Sequence, residues 1–433
     1  MSAENLIEYI KDKKILILGF GREGKSTYNF IRKHLPEKPL TVGDKNGVEI
    51  NDENVTLDCG EDYLKHLDRY DLVVKSPGIP FIGVSYPDTT EITCQTDLFL
   101  RFADCKMIGV TGTKGKTTTS TLIYEMLKAE GADAYLMGNV GVPVLESMEL
   151  GGDSAAVIEL SSHQLEFTRK SPHIAVLTNV YEEHLDHYEE GFKGYVNAKL
   201  NIVKNQGEDD YFIYNGVQGI EEYTDESKIK SQKIKVYPEG DEFVRSLFGI
   251  NKHLKGTHNN HDIAFAAAAA KCFGVSEKAV RTAVENFKGI PNRMEYFGTF
   301  GGVEYYNDAI ATIPEAAVRA VEALGNVGTL IIGGLDRGID YSGFVKALAK
   351  MDIDNIVCLP ETGHKIADAL AETDCKAKTV KVRDLPEGVK FAVENTKSGK
   401  SCIMSPAAAS YNVYRDFEEK GEHFKQLVKA EFQ

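Results

Sequence analysis

Short apolar runs recur along the chain, and most are followed by stretches in which apolar side chains return every three or four positions. Ile15–Leu18, Leu40-Thr41-Val42, Leu72-Val73-Val74, Met107-Ile108-Gly109-Val110, Ala155–Ile158 and Ile174–Val180 read as buried strands. Tyr28, Ile31 and Leu35 have helical spacing, as do Leu122, Ile123, Met126 and Leu127, and the run 263–273 is an apolar helix. Strand and helix alternating in this way predict an α/β fold with doubly wound parallel sheets. The pattern divides into three domains, 1–104, 105–297 and 298–433, with no internal repeat or low-complexity segment.

The run Met107–Val110 opens onto Gly112-Thr113-Lys114-Gly115-Lys116-Thr117-Thr118. Glycines let a backbone turn tightly and aim successive N–H groups inward, and the following helix adds its positive end. Lys116 is placed to reach the β- and γ-phosphates of ATP, and Thr117 to offer its hydroxyl to Mg²⁺. The central domain therefore reads as P-loop ATPase-like. Val110 stands where the standard G-x-x-x-x-G-K-[ST] spacing has its first glycine, so a glycine-rich strand-to-helix turn without nucleotide is the plainer alternative.

Ile15–Leu18 leads into Gly19-Phe20-Gly21-Arg22-Glu23-Gly24, and the next strand ends at Asp44. That order is the Rossmann-like fingerprint, in which glycines admit a pyrophosphate and the acid holds a ribose or base edge. Taken alone it fits a nicotinamide-dependent dehydrogenase, or a tight turn with no ligand; the second phosphate loop makes the dehydrogenase less attractive. Ser76-Pro77-Gly78 ends a strand in a turn whose backbone donors could meet a ligand. Glu159 ends the strand at 155–158, where an α/β fold holds Mg²⁺ beside a phosphate loop; an ordinary solvated acid is the alternative. As bare features, His184 and His187 are surface histidines and Lys199 is a solvated helix lysine.

A formal charge of −15 argues against a general nucleic-acid or anionic-membrane binder, though a local basic cleft can still take an anionic substrate. The seven cysteines are odd in number and form no Cys-x-x-Cys pair, which fits reduced thiols rather than disulfides or a zinc site. The first fourteen residues lack an apolar signal core and no run reaches membrane-spanning length, so a cytoplasmic protein without membrane insertion is expected.

In order, and over nearly the whole chain, these motifs resemble those of the Mur ligases. Thr111–Thr118 is similar to the family's ATP loop, Ser76-Pro77-Gly78-Ile79 to its Ser-Pro-Gly element, and Gly138-Asn139-Val140-Gly141 to its Gly-Asn-Ile-Gly loop. Glu159–Glu166 matches the Glu-Leu-Ser-Ser-x-Gln-Leu-Glu of the D-glutamate-adding branch. The resemblance implies that Gly19, Gly21, Gly24, Asp44, Ser76, Pro77, Gly78, Asn139, Ser161 and Gln164 bind a UDP-linked substrate. It also implies that Glu159 ligates one Mg²⁺, that His184 ligates a second, and that Lys199, in the Ala-Lys element, carries a carbamate. Glu183 replaces the usual aspartate before that histidine.

Gly256–Asp262 resembles Gly-x-His-Asn-x-x-Asn, which implies ATP contacts from Asn259 and from Asp262, the latter in place of asparagine. Arg293, in a Leu-Pro-His-Arg-x-Glu-like hinge with Asn292 for the histidine, is the implied γ-phosphate clamp. In the Rossmann-like C-terminal domain, Asn307-Asp308-Ala309-Ile310-Ala311-Thr312-Ile313 resembles Asn-Asp-Ser-Lys-Ala-Thr-Asn. Asp308 joins the ATP set, while Ile310 removes a cation from the expected glutamate site. Arg337 replaces a carboxylate-binding lysine, and Ser405–Ser410 and Phe417–Gly421 match Ser-Pro-Ala-x-Ala-Ser and Phe-Glu-x-Arg-Gly. Thr312, Arg337, Ser410 and Phe417 are the expected amino-acid pocket.

The resemblance thus implies an ATP-dependent ligase joining D-glutamate to UDP-N-acetylmuramoyl-L-alanine through an acyl phosphate. Lys116, Glu159, His184, Lys199 and Arg293 would be catalytic, with two Mg²⁺ held through Thr117, Glu159, His184 and Lys199. A monomer is expected. A sibling taking another acceptor, such as L-glutamate, is the nearest alternative, and a non-catalytic ATP sensor is a more distant one.

Overall fold

The apolar runs fold as strands of three separate sheets, two in the unit Met1–Phe287 and one in the unit Lys288–Gln433. The computed structural model describes residues 2–139, 142–251, 254 and 256–433. Val140 and Gly141 of the Gly-Asn-Val-Gly loop lie outside the described residues.

In the first sheet the elements are α1 (Ser2–Ile10), β1 (Ile15–Leu18), α2 (Arg22–His34), β2 (Leu40–Asp44), β3 (Val55–Cys59), β4 (Leu72–Lys75), β5 (Glu91–Thr93) and α3 (Gln95–Phe102). The strands are all parallel in the order β3-β2-β1-β4-β5, the nucleotide-fold order. Every residue of β1 and β4 is buried, as expected for strands covered on both faces. α2 buries Thr27, Phe30 and Ile31, starts with Glu23 and ends with Arg32, Lys33 and His34, charges that suit the helix dipole at each end.

The second sheet holds β6 (Lys106–Thr111), α4 (Lys116–Glu130), β7 (Ala134–Gly138), β8 (Ala155–Glu159), α5 (Ser162–Leu165), β9 (Ile174–Leu177), α6 (Phe192–Lys204), β10 (Tyr211–Asn215) and β11 (Gln232–Val236). The helices α7 (Glu242–Arg245), α8 (Thr257–Phe273) and α9 (Glu277–Asn286) follow. Its strands are also parallel, in the order β11-β10-β9-β6-β8-β7. The alanine-rich stretch of α8 presents little side-chain bulk, which lets it lie close against α4.

One apolar core, from Leu6 and Ile17 to Ile202 and Phe212, runs through both of these sheets. Polar ties join them as well. Buried Asp97 on α3 accepts from Thr93 at 2.8 Å and Arg101 at 3.2 Å, and from both the backbone (2.6 Å) and the guanidinium (3.2 Å) of Arg169.

In the second unit lie β12 (Glu295–Phe300), β13 (Val303–Asn307), α10 (Pro314–Leu324), β14 (Val327–Ile332), α11 (Ser342–Leu348), β15 (Asn355–Cys358), α12 (Thr362–Ala371), β16 (Lys378–Lys381), α13 (Leu385–Asn395), β17 (Ser401–Met404) and α14 (Phe417–Ala430). β12 is antiparallel to β13, and the remaining strands are parallel in the order β12-β13-β17-β14-β15-β16. β12 therefore crosses the 297/298 boundary expected from the sequence. Among the described residues no helix is long and apolar enough to cross a membrane, and all seven cysteines are free thiols.

Gly24 offers a direct test of the first glycine loop. A Cβ there would overlap the Gly19 carbonyl, and Gly19 is itself held by the Gly43 carbonyl and by Ser76 Oγ. Gly24→Ala should lower stability by about 1–3 kcal/mol, read as a lower urea midpoint. An unchanged midpoint would mean that the loop opens freely.

Candidate active site

The end of β6 turns into the phosphate loop through two glycines that no other residue can replace. Gly112 (φ +150°) sits where a Cβ would overlap Thr178 Oγ1, and Gly115 (φ +84°) where it would overlap an Asp262 carboxylate oxygen. The segment just after β9, together with α6, pins the loop. The Thr113 N–H donates to the Asn179 carbonyl (2.9 Å), the Lys114 N–H to Asn179 Oδ1 (2.8 Å), and Thr178 Oγ1 to the Lys114 carbonyl (2.7 Å). Thr113 Oγ1 also shares a hydrogen bond with the Tyr195 hydroxyl (2.9 Å). Thr117 and Thr118 fall in the first turn of α4, at its positive end.

Two ammonium groups meet at one carbonyl. Lys116 Nζ donates to the Gly112 and Thr113 carbonyls, both at 3.1 Å, and Lys199 Nζ donates to Gly112 at 2.8 Å. Lys199 is buried on the inner face of α6, not solvated as its bare sequence setting suggested. Burial, and then repulsion from Lys116, push its amine down to about 7, with Glu183 opposing. Near neutral pH a large share of it is therefore free amine.

Glu159 ends β8, one strand over from the loop, in register with Val110. One carboxylate oxygen accepts from Asn139 Nδ2 (2.7 Å), while the other is buried without a hydrogen-bond partner. An orphaned buried carboxylate oxygen beside a phosphate loop fits Mg²⁺, a hard cation that takes few protein ligands and fills its shell with water and phosphate oxygens. His184 is exposed, with φ +54°; its ring lies 4.7 Å from that of His163 and 6.3 Å from that of Tyr195. Among the described residues no three His, Cys, Asp or Glu side chains are gathered as a metal cage. The donor set therefore fits an ion that Thr117 and Glu159 would hold, with the rest of its shell supplied from outside the protein.

Asn259 and Asp262 both lie in the first two turns of α8. Asp262 is buried against Gly115 and accepts from Thr119 Oγ1 at 3.3 Å, and burial pushes its carboxyl up to about 7. A protonated Asp262 offers one donor and one acceptor, much as the asparagine it replaces would.

Around the first glycine loop, most of the expected substrate residues are already engaged. Asp44 accepts from the Phe20 N–H (2.8 Å) and the Asn46 N–H (2.9 Å), so it braces the loop. Ser76 Oγ donates to the Gly19 carbonyl at 3.0 Å, while Gly21 and Gly78 have open space around them. Ser161 and Gln164 form a capping box at the head of α5. The sequence reading missed Glu23: Gln164 Nε2 donates to one of its carboxylate oxygens at 2.9 Å, linking the first glycine loop to the segment after Glu159. The missed residue lies inside the G-x-G-x-x-G motif. Buried Lys75, 3.4 Å from Glu166 and next to Ser76, was missed too.

In the second unit, Asp308 Oδ2 accepts from Ser405 Oγ at 2.6 Å and Oδ1 from the Met294 N–H at 3.1 Å. Burial pushes Asp308 up to about 6, with those hydrogen bonds and the nearby Arg293 charge opposing. Arg293 itself is exposed, flanked by Asn292 (φ +60°) and Met294 (φ +47°). The structure brings Arg337 to Thr312, whose carbonyl accepts from Nη2 at 3.4 Å. Ser410 is buried with its hydroxyl unpartnered, and Phe417 opens α14.

Residues 110–270 match the Mur ligase middle domain. The chain is 34% identical to the UDP-N-acetylmuramoylalanine–D-glutamate ligase of Ligilactobacillus salivarius, over 98% of this chain and 97% of the relative. It is 35% identical to the enzyme of the same name from Symbiobacterium thermophilum, over 87% and 88%. Its fold resembles the crystal structure of UDP-N-acetylmuramate-alanine ligase from Thermotoga maritima, at 18% identity and a TM-score of 0.55, covering 97% of this chain and 100% of that one.

Lys199 carries a pH signature. Its amine falls from 10.5 to about 7 on folding, so between those values the unfolded chain binds more protons and stability rises with pH. From pH 7 to 9 in CO₂-free buffer, Lys199→Met should lose about 2 kcal/mol of the gain in unfolding free energy that the unsubstituted chain shows. Equal gains for both in urea titrations would mean that Lys199 is solvated.

Proposed function

Because the chain belongs to the Mur ligase family, we propose that it is the ADP-forming ligase that adds D-glutamate to UDP-N-acetylmuramoyl-L-alanine in peptidoglycan precursor synthesis. The observation that carries this reading is the convergence of Lys116 and Lys199 on the Gly112 carbonyl, one strand from a Glu159 oxygen that is buried and unpartnered.

The phosphate loop binds ATP through the N–H groups of 112–118, and Lys116 turns from its carbonyls to the phosphate oxygens. Thr117 and Glu159 would hold Mg²⁺, which would supply charge neutralisation at the phosphates. Arg293 clamps the γ-phosphoryl, and Asn259, Asp262 and Asp308 contact the nucleotide. The substrate's alanyl carboxylate attacks the γ-phosphorus, ADP leaves, and an acyl phosphate results. The free amine of glutamate attacks the acyl carbon, phosphate departs, and the amide loses a proton. Activation is needed because a free carboxylate is a poor electrophile, and positioning because the amine must be held against it.

The neutral share of Lys199 suits carbamylation: the amine nitrogen bonds to the carbon of CO₂ and releases a proton, leaving an anion. With His184, that carbamate would hold a second Mg²⁺. UDP-sugar binding is assigned to Gly19, Gly21, Gly24, Asp44, Ser76, Pro77, Gly78, Asn139, Ser161 and Gln164; of the three domains, 1–104 takes the UDP-sugar, 105–297 takes ATP and 298–433 takes the amino acid. Amino-acid binding is assigned to Thr312, Arg337, Ser410 and Phe417. ATP and a UDP-linked substrate are cytoplasmic metabolites, and we place the enzyme there as a monomer. L-Glutamate as the acceptor is the second reading, kept because Ile310 stands where the family has lysine and Arg337 where it has a carboxylate-binding lysine, changes that leave the chirality open.

The test is ADP release with UDP-N-acetylmuramoyl-L-alanine and Mg-ATP, comparing D-glutamate, L-glutamate and no amino acid. Stimulation by D-glutamate alone is expected. Stimulation by L-glutamate alone moves the assignment to the second reading, and ATP binding without either response defeats both. Lys116→Ala should cut turnover by roughly 10³-fold or more while the chain stays folded; near-normal turnover in that variant removes Lys116 from the chemistry.

A further inference from the structure

A cavity of about 390 Å³ opens between one face of α2 and the segment 145–149, and no residue assigned above to ATP, the UDP-linked substrate or the amino acid lines it. Ser26, Phe30, Lys33 and His34 recur on α2 at steps of three and four, so they share one helix face and extend about 12 Å along it. On the opposite wall, buried Leu145 and Met148 are apolar, and Glu146 and Glu149 carry charge.

Two polar atoms in this wall have no partner. Ser26 is 4% exposed, and its hydroxyl lacks even the bond to the carbonyl one turn back that a helical serine commonly makes. His34 Nε2 is also buried without a hydrogen bond; it stands 4.0 Å from Glu149 Oε1, and its ring lies against Phe30 with centroids 4.8 Å apart. Each such group opposes folding unless something satisfies it.

The charge is unbalanced as well. Lys33 pairs with Glu149 at 2.7 Å, but both side chains are exposed, so the pair is weakly held. Glu146 has no ion pair among the described residues, which leaves the cavity one net negative charge. An anion would meet that charge, and a purely apolar molecule would leave Ser26 and His34 unsatisfied. A metal ion has no cage of His, Cys, Asp or Glu here among the described residues. A primary ammonium on an apolar stem meets every demand. Its N–H groups match the carboxylates of Glu146 and Glu149 and the acceptors Ser26 Oγ and His34 Nε2, and its stem matches Phe30, Leu145 and Met148.

We propose that this cleft is a binding site for a small aliphatic primary amine, a class that is cationic at neutral pH. The occupant touches α2, which starts from the first glycine loop, and the segment that follows Asn139, the residue that holds Glu159.

The test is calorimetric titration of the full chain near neutral pH, in about 0.15 M salt to screen exposed charges. Three probes share one stem and differ in charge: pentylamine, pentanol and pentanoate. Pentylamine should bind one to one with a Kd of about 1 mM or tighter, and the other two at least tenfold more weakly. Glu146→Gln should weaken pentylamine roughly tenfold and Ser26→Ala roughly threefold. Glu322→Gln, which removes the same charge from an exposed position in the second unit, should leave the Kd within about twofold. Absence of saturable pentylamine binding overturns the proposal, and so does pentanol binding as tightly. Equal losses in Glu146→Gln and Glu322→Gln also overturn it, since the amine then senses only the acidity of the chain.

Discussion

The Gly112 carbonyl is the point on which the nucleotide half of the molecule depends. A carbonyl oxygen has two lone pairs, and here both are taken by ammonium groups, one from the loop and one from α6. The arrangement requires a backbone free of Cβ at Gly112, because Thr178 occupies that space, and it requires α6 to bury Lys199 against the loop. Burial first, and then repulsion from Lys116, favour the neutral form of the Lys199 amine, while Lys116 keeps two carbonyl partners.

The same imbalance recurs elsewhere. Asp262 and Asp308 are buried acids pushed towards neutrality, Lys420 is a buried base pushed towards neutrality, and Glu159 has a buried oxygen without a partner. Away from function, a chain of this size has little reason to bury so many poorly compensated groups, since each opposes folding. The opposing stabilisation is the apolar core that runs through both sheets of the first unit and the two apolar clusters flanking the sheet of the second. Asp97 shows the contrast: it is equally buried but saturated by Thr93, Arg101 and Arg169, and its role is to join two sheets.

The fold was readable because its strands are apolar on both faces. Ile15–Leu18, Ala155–Ile158 and Ile174–Leu177 appear as uninterrupted runs only when helices cover both sides of a parallel sheet. Weakly patterned strands were harder to see: β3 and β11 are edge strands with largely exposed residues, and β12 reads Glu-Tyr-Phe-Gly-Thr-Phe, with a bulge where the domain boundary was drawn. At the site, residue type and spacing gave the phosphate loop, but partner identity depends on tertiary contact. Nothing in the spacing shows that Asp44 is spent on the Phe20 N–H, that Glu23 receives Gln164, or that a lysine in an amphipathic helix faces inwards.

The departures from the family pattern are most informative where the structure gives each a distinct physical setting. Asp262 replaces an amide but lies where burial pushes its carboxyl up to about 7, so near neutral pH a large share of it keeps a donor as well as an acceptor. Asn292 replaces a histidine at φ +60°, a conformation asparagine tolerates better than most residues, and its Oδ1 accepts from Asn307 Nδ2 at 2.8 Å. Ile310 has no such local substitute: its backbone N–H donates to the Asn292 carbonyl at 3.1 Å, but its side chain cannot carry charge. The neighbouring Thr312 carbonyl is instead approached by Arg337, a planar donor that can hold a carboxylate bidentately where a lysine could not. Local exchange thus keeps hydrogen bonding at positions 262 and 292, whereas position 310 keeps only its backbone hydrogen bond.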